Sequence, residues 1–253
     1  MSLHREIRGD GPDIVFLHGW GMNAAVWGDV ATALEQRFRL HLIEMPGHGH
    51  SAYHGETGLS EWAQACLDAA PDRAIWMGWS LGGQVALQAA LLEPQRIDKL
   101  VLTATAPRFV QSDDWPNAMP LGTLGQFAAA LSEDYHGTIN RFLALQVRGS
   151  EKGREVLRLL KQDLVARPEA DSEALSIGLR LLRESDLRSS LRGGDVPSLW
   201  LFGDKDALVP AAMAGDVSRL SSNDRVEVIE GAGHAPFLSH SDEWLMRVES
   251  FLL

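Results

Sequence analysis

Short apolar runs recur along the chain, and the segments between them repeat their apolar residues at helical spacing. Ile14–Leu17, Leu40–Ile43, Ala74–Met77, Leu100–Thr103, Ser198–Phe202 and Val226–Ile229 all have strand length. Several are apolar at every position rather than alternating, as a parallel strand covered on both faces reads. Strands alternating with helices predict an α/β, doubly wound architecture with a mostly parallel central sheet. One more short strand is expected near Leu3–Ile7, where the turn formers Gly9-Asp10-Gly11-Pro12 favour antiparallel pairing.

The alternation stops after Ala104. Between Phe109 and Ser190 no strand pattern stands out; the stretch opens on turn formers, Asp113-Asp114-Trp115-Pro116-Asn117, and then turns helical. Leu157, Leu160 and Leu164 recur at helical spacing, as do Leu175, Leu179 and Leu182. Sheet patterning resumes at Val196. The expected organisation is a core formed by residues 1–108 and 191–253, with a helical cap, 109–190, inserted over the C-terminal ends of the strands. Such a cap would roof and shape a site at that edge.

Composition narrows the picture. With 253 residues, 45% of them hydrophobic, the chain can bury the core of one large domain plus an insertion. A net charge of −11 argues against nucleic acid as a partner. The one cysteine, Cys66, excludes an internal disulfide and reads as a small buried apolar residue in a helix over 59–67. Met1-Ser2-Leu3-His4-Arg5-Glu6 has no apolar signal-peptide core, and no run reaches membrane-spanning length. A soluble, monomeric, cytoplasmic protein is the expectation.

The chemistry starts at Gly78-Trp79-Ser80-Leu81-Gly82, which lies between the Ala74–Met77 strand and a helical run from Gly83. G-x-S-x-G between strand and helix is a nucleophile elbow, whose sharp turn pushes the serine hydroxyl out at the end of the sheet. A serine needs a base within hydrogen-bond reach. His234, in the glycine-rich turn Gly231-Ala232-Gly233-His234 after the last strand, is the candidate. A carboxylate must orient that base. Asp206, past the penultimate strand, is the better-placed carboxylate; Asp204 competes, with a reading as a turn residue paired to Lys205. The order Ser80, Asp206, His234 is that of an α/β-hydrolase. The oxyanion formed on attack needs N–H donors. Leu81 would supply one and Trp20, in the loop His18-Gly19-Trp20-Gly21 after an early strand, the other. His18 would brace that loop. Trp79, Phe142 and Leu208 could line an acyl pocket or fill the core. His48, His50 and His54 raise the question of a metal, but no cysteine or acid lies at a recognised ligand spacing, and a tight loop is the simpler reading. Neither metal nor cofactor is expected.

The charge is uneven. Residues 108–190 hold 11 Lys+Arg against 12 Asp+Glu, so the rest of the chain carries nearly all the negative charge. Arg154, Arg158 and Lys161 fall on one helical face, opposite the leucines. A solvated face is the ordinary reading, but on a cap over a site such a stripe also suits an acidic partner.

On these residues the whole chain resembles the α/β-hydrolase superfamily. More narrowly, it resembles the pimeloyl-acyl carrier protein methyl ester esterase family of biotin biosynthesis. The likeness lies in Leu17-His18-Gly19-Trp20-Gly21-Met22-Asn23-Ala24-Ala25-Val26-Trp27, in Ala74 to Gly83, in Arg141-Phe142-Leu143-Ala144-Leu145-Gln146 and in His234-Ala235-Pro236-Phe237-Leu238-Ser239-His240. The resemblance implies hydrolysis of the methyl ester of a pimeloyl chain carried on acyl carrier protein, with Ser80, Asp206 and His234 as triad. It implies substrate contacts from Phe142, Leu143, Ala144, Leu145 and Gln146, and carrier contacts from Arg141, Arg154 and Arg158. Gly137, one helical turn before Arg141, stands where the family can carry another arginine. A general short-chain carboxylesterase or a C–C bond hydrolase would use the same triad, and a non-catalytic binding protein could use the same scaffold. A dehalogenase would place aspartate at position 80.

Overall fold

The computed structural model describes residues 3–191, 196–220 and 224–253. Seven strands form one sheet: β1 (Arg5–Arg8), β2 (Asp13–Leu17), β3 (Arg39–Ile43), β4 (Ala74–Trp79), β5 (Ile97–Thr103), β6 (Ser198–Gly203) and β7 (Arg225–Ile229). Their spatial order is β1-β3-β2-β4-β5-β6-β7. Only β1 runs antiparallel, pairing Arg5 with Ile43 and Arg8 with Leu40. Each apolar run expected to be a strand is one, within two residues at its ends except that β5 begins three residues before Leu100. The reason shows in the burial. Every residue of β4 and β6 is buried, because helices cover both faces. The edge strand β1 alternates exposed and half-buried residues.

The helices are α1 (Gly28–Leu34), α2 (Leu59–Ala69), α3 (Leu81–Leu92), α4 (Leu121–Leu131), α5 (Tyr135–Gln146), α6 (Gly153–Leu164), α7 (Ser172–Glu184), α8 (Arg188–Leu191), α9 (Met213–Leu220), α10 (Pro236–Ser239) and α11 (Ser241–Leu252). Cys66 is fully buried on α2, and burial pushes its thiol well above the ordinary range, so it behaves as an inert apolar group.

Helices α4–α8 stand between β5 and β6, the position of the expected cap. Among the described residues of this stretch the only β pairing is two isolated bridges, Val110 with Met119 and Ser112 with Trp115. Residues 192–195, which lead from α8 toward β6, lie outside the described residues. The helices rest on the loops at the C-terminal ends of the strands. Asn23 Nδ2 donates to the Asp163 and Leu164 carbonyls at 3.0 and 3.2 Å, and Asp171 N to the Gly47 carbonyl at 2.7 Å. The Arg180 guanidinium donates to the Thr57 carbonyl at 2.7 Å. Where the chain enters and leaves this layer, Leu187 N donates to the Pro107 carbonyl, and Arg108 pairs with Asp186 at 2.9 Å.

Candidate active site

Four loops meet at the C-terminal edge of the sheet: those after β2, β4, β6 and β7. Open α/β sheets place ligands at this edge. The loop after β4 is the sharpest. Ser80 has φ 55° and ψ −120°, and among the described residues only Ala104 shares a positive φ without being glycine. Such a conformation costs about 1–3 kcal/mol and persists only when its surroundings enforce it. Here they do. Ser80 N donates to the Thr103 carbonyl at 3.0 Å, and the Ser80 carbonyl accepts from Gly83 N at 2.9 Å and from Thr105 Oγ1 at 2.7 Å. At Gly82 a Cβ would overlap the Leu17 and His18 carbonyls. At Gly78 it would strike the α3 backbone. The glycines around the serine are therefore required by close backbone approach.

His234 Nε2 lies 3.0 Å from Ser80 Oγ, and His234 Nδ1 lies 2.8 Å from Asp206 Oδ2. The other Asp206 oxygen accepts the amides of Leu208 and Val209, at 2.7 and 3.0 Å. The His234 main chain is clamped as well. Its carbonyl accepts from Trp79 Nε1 at 2.7 Å, and its amide donates to the Gln146 carbonyl of α5 at 3.0 Å. Asp206 rather than Asp204 meets the histidine. Asp204 pairs with Lys205 at 2.8 Å and accepts the Gly231 amide at 2.6 Å, so it ties the two loops together from outside. All three side chains are buried, Ser80 being only 3% exposed.

The loop after β2 faces this serine and is held by two neutral histidines. His18 Nε2 accepts the Met45 amide at 3.1 Å, which leaves Nδ1 to donate to the Gly19 carbonyl at 2.9 Å. His48 repeats the scheme, accepting from Gly21 N at 3.3 Å and donating to the Pro46 carbonyl at 2.9 Å. Burial, with the His48 ring alongside, pushes His18 down to about 3. Burial pushes His48 down to about 4. Both rings are uncharged braces, as the sequence suggested for His18. Neither the Trp20 nor the Leu81 amide donates to another protein group among the described residues, and each heads the loop or helix beside Ser80. Both residues are buried, and Trp20 Nε1 donates to the Leu175 carbonyl of α7 at 2.8 Å.

The α5 segment is not presented as a unit. Phe142, Leu143 and Gln146 are buried, and the Phe142 ring meets the Trp20 ring at 4.7 Å between centroids. Leu145 is half-buried, and Ala144 stands on the exposed face, because five consecutive helical residues cover every side of a helix. Ala144 is thus turned away from the buried serine. Trp79 and Leu208 are core residues that hold the histidine and the aspartate from behind. Arg141, Arg154, Arg158 and Lys161 are all exposed. Arg141 lies 3.5 Å from Asp134. Gly137 has a local cause: Asp134 caps α5 by accepting the Gly137 amide at 2.8 Å, and a Cβ at 137 would collide with that carboxylate. Thr105 is a supporting residue with no mark in the sequence, since its hydroxyl reaches the elbow only through the left-handed turn at Ala104.

The α/β hydrolase fold model matches residues 12–241. A pimeloyl-acyl carrier protein methyl ester esterase from Photobacterium profundum is 44% identical, over 99% of this chain and 98% of that protein. The enzyme of the same name from Pectobacterium carotovorum is 45% identical, over 99% and 98%. The chain belongs to this esterase family of α/β hydrolases. A solved esterase from Exiguobacterium antarcticum has a TM-score of 0.88, covering 98% of this chain and 94% of its own at 24% identity, a likeness of fold alone. Among the described residues no helix is long and apolar enough to cross a membrane.

Proposed function

We propose that this chain is a serine carboxylesterase that hydrolyses the methyl ester of pimeloyl-acyl carrier protein, releasing methanol and the free carboxylate for biotin synthesis. The carrying observation is the hydrogen-bonded run Asp206–His234–Ser80, at 2.8 and 3.0 Å, in a chain 44% identical to a relative of that name. In this reading His234 takes the Ser80 proton as Oγ attacks the ester carbonyl. Asp206 holds Nδ1–H and stabilises the imidazolium. The Trp20 and Leu81 amides receive the oxyanion. The tetrahedral species collapses, and His234 returns the proton to the departing methoxide. Water, activated by the same ring, then adds to the acyl-serine and releases the carboxylate.

Selection of the ester falls to the cap, residues 109–190. The inward residues Phe142, Leu143 and Gln146 line the acyl side, with Leu145 at its margin. Arg141, Arg154 and Arg158 face the acidic carrier. The carrier is one partner, and nucleic acid and membrane are not. The test compares purified enzyme on the carrier-borne methyl ester and on p-nitrophenyl esters, with fluorophosphonate labelling of Ser80. The reading requires a large kcat/KM advantage for the carrier-borne ester. Equal efficiency on free short esters would replace it with a general esterase, and no labelling would remove the catalytic reading altogether.

A further inference from the structure

A second cluster of chemistry-bearing side chains lies at the opposite flank of the sheet from His234, where β1 joins β3. Among the described residues it is one group of three: His4, Glu44 and His50, whose nearest ligand atoms all lie within 4.8 Å of one another. Spacing alone hides it, because His4 precedes β1 while Glu44 and His50 follow β3. The antiparallel pairing of those strands brings them together.

The frame is fixed by the backbone. Glu44 N donates to the His4 carbonyl at 3.1 Å. The Ser51 hydroxyl donates to the Glu44 carbonyl at 2.6 Å and accepts the His4 amide at 2.8 Å, so one side chain holds two members in register. The Glu44 carboxylate is fully buried, and a Cβ on Gly49 would overlap it. That packing leaves the carboxylate no room to swing. Its Oε2 accepts the His50 amide at 2.6 Å, while Oε1 accepts no hydrogen bond and lies 3.5 Å from Arg167 Nε.

The ligand distances are informative. His50 Nδ1 and Glu44 Oε2 are 3.3 Å apart, which is long for a charge-assisted hydrogen bond. It is the edge of a tetrahedron whose centre lies about 2.0–2.1 Å from each corner, the bond length of zinc to histidine nitrogen and carboxylate oxygen. The three ligand atoms lie within 4.8 Å of one another, so the half-buried His4 would have to rotate its side chain inward to close the third corner. The cluster opens on a surface depression of about 690 Å³ lined by His4, Arg5, His50 and Asp68, which gives an ion a path in and a place for water. Arg167 stays on Oε1 and balances part of the buried charge. Two imidazoles and one carboxylate suit a borderline divalent transition ion rather than calcium or magnesium.

We propose that His4, Glu44 and His50 form a zinc site, with water from the depression as fourth ligand. It would pin the N-terminal segment to the end of β3. Through the Glu44–Arg167 pair, it would also pin the chain between α6 and α7. The site is independent of the esterase reading.

The test titrates Zn²⁺ into the full-length, tag-free protein by calorimetry, with the thermal midpoint followed in parallel. One ion per chain is expected, with a dissociation constant on the order of micromolar and a raised midpoint. His50→Ala and His4→Ala should each weaken binding at least about tenfold, since each removes one of three protein ligands. His54→Ala, an exposed histidine of the same loop, should change nothing. The midpoints of the metal-free variants report whether they still fold. Absence of binding by the parent chain, or the same affinity in His50→Ala and His4→Ala as in the parent, overturns the site.

Discussion

The elbow and the cap are built on opposite terms. Around Ser80 the backbone is bent into a costly conformation, crowded until only glycine fits at Gly78 and Gly82, and hydrogen-bonded at each polar atom that sets the serine. Above it, α6 and α7 are amphipathic, with charged outer faces and one-sided burial: α6 buries Val156 and Leu160 and leaves Arg154, Arg158 and Lys161 in solvent. The first region has one geometry available to it. The second can exchange side chains on its outer face at little cost to the fold. On the proposed reading, bond-making falls to the rigid region and choice of ester to the adaptable one.

Substitutions at the two regions should therefore fail differently. Ser80→Ala should lower kcat at least about a thousandfold on every ester, free or carrier-borne, because it removes the bond-forming atom. Residual turnover near the parent rate would end the comparison. Reversing charge on the cap, with Arg154→Glu and Arg158→Glu together, should raise KM for the carrier-borne ester about tenfold and leave p-nitrophenyl acetate unchanged. An equal loss on both substrates would mean that the cap surface shapes the chemistry too.

The two regions should also part in their response to pH. His18 and His48, both braces of the core loop, are neutral when folded and hold no proton until about 3 and about 4. Unfolded histidine takes up its proton near pH 6.5. Their contribution to stability is complete above that pH and is lost as pH falls toward 4. Denaturant midpoints of His48→Gln, which can keep both hydrogen bonds without titrating, should fall less than the parent's between pH 7 and pH 5. The cap has the opposite sign. Burial, with Asp29 alongside, pushes the Asp163 carboxyl of α6 up to about 6 from an ordinary 3.8. Its ionised form disfavours the folded state, an effect absent below about pH 4 and full above about pH 6. Asp163→Asn should raise the thermal midpoint by about 1–3 °C at pH 7.5 and not at all near pH 4.

Much of this was legible in the chain. The five inner strands announced themselves as apolar runs because parallel strands are covered on both faces; of the two edge strands, the half-exposed β7 kept enough apolar residues to show, and β1 followed from its turn. Asp206 and His234 could be picked out because each follows a strand that ends at the edge Ser80 occupies. What stayed hidden depends on geometry beyond strand order. Thr105 reaches the elbow only through the turn at Ala104. The tight loop read for His48, His50 and His54 did not show where each ring goes: His48 is buried under the loop it braces, and His50 meets His4 and Glu44. The cap motif from Phe142 to Gln146 reads as one patch in sequence, but the helix turns Ala144 outward.

Trp20 belongs to both regions at once. Its amide heads the loop beside the serine, and its indole is fastened to the Leu175 carbonyl of α7. On the proposed reading, a motion that lifted α7 to admit a tethered ester would break that bond and release the loop. The Trp20 amide would then leave the oxyanion position with the loop, so the roof would have to settle before the reaction could start, and selectivity would lie in the order of events as well as in the walls.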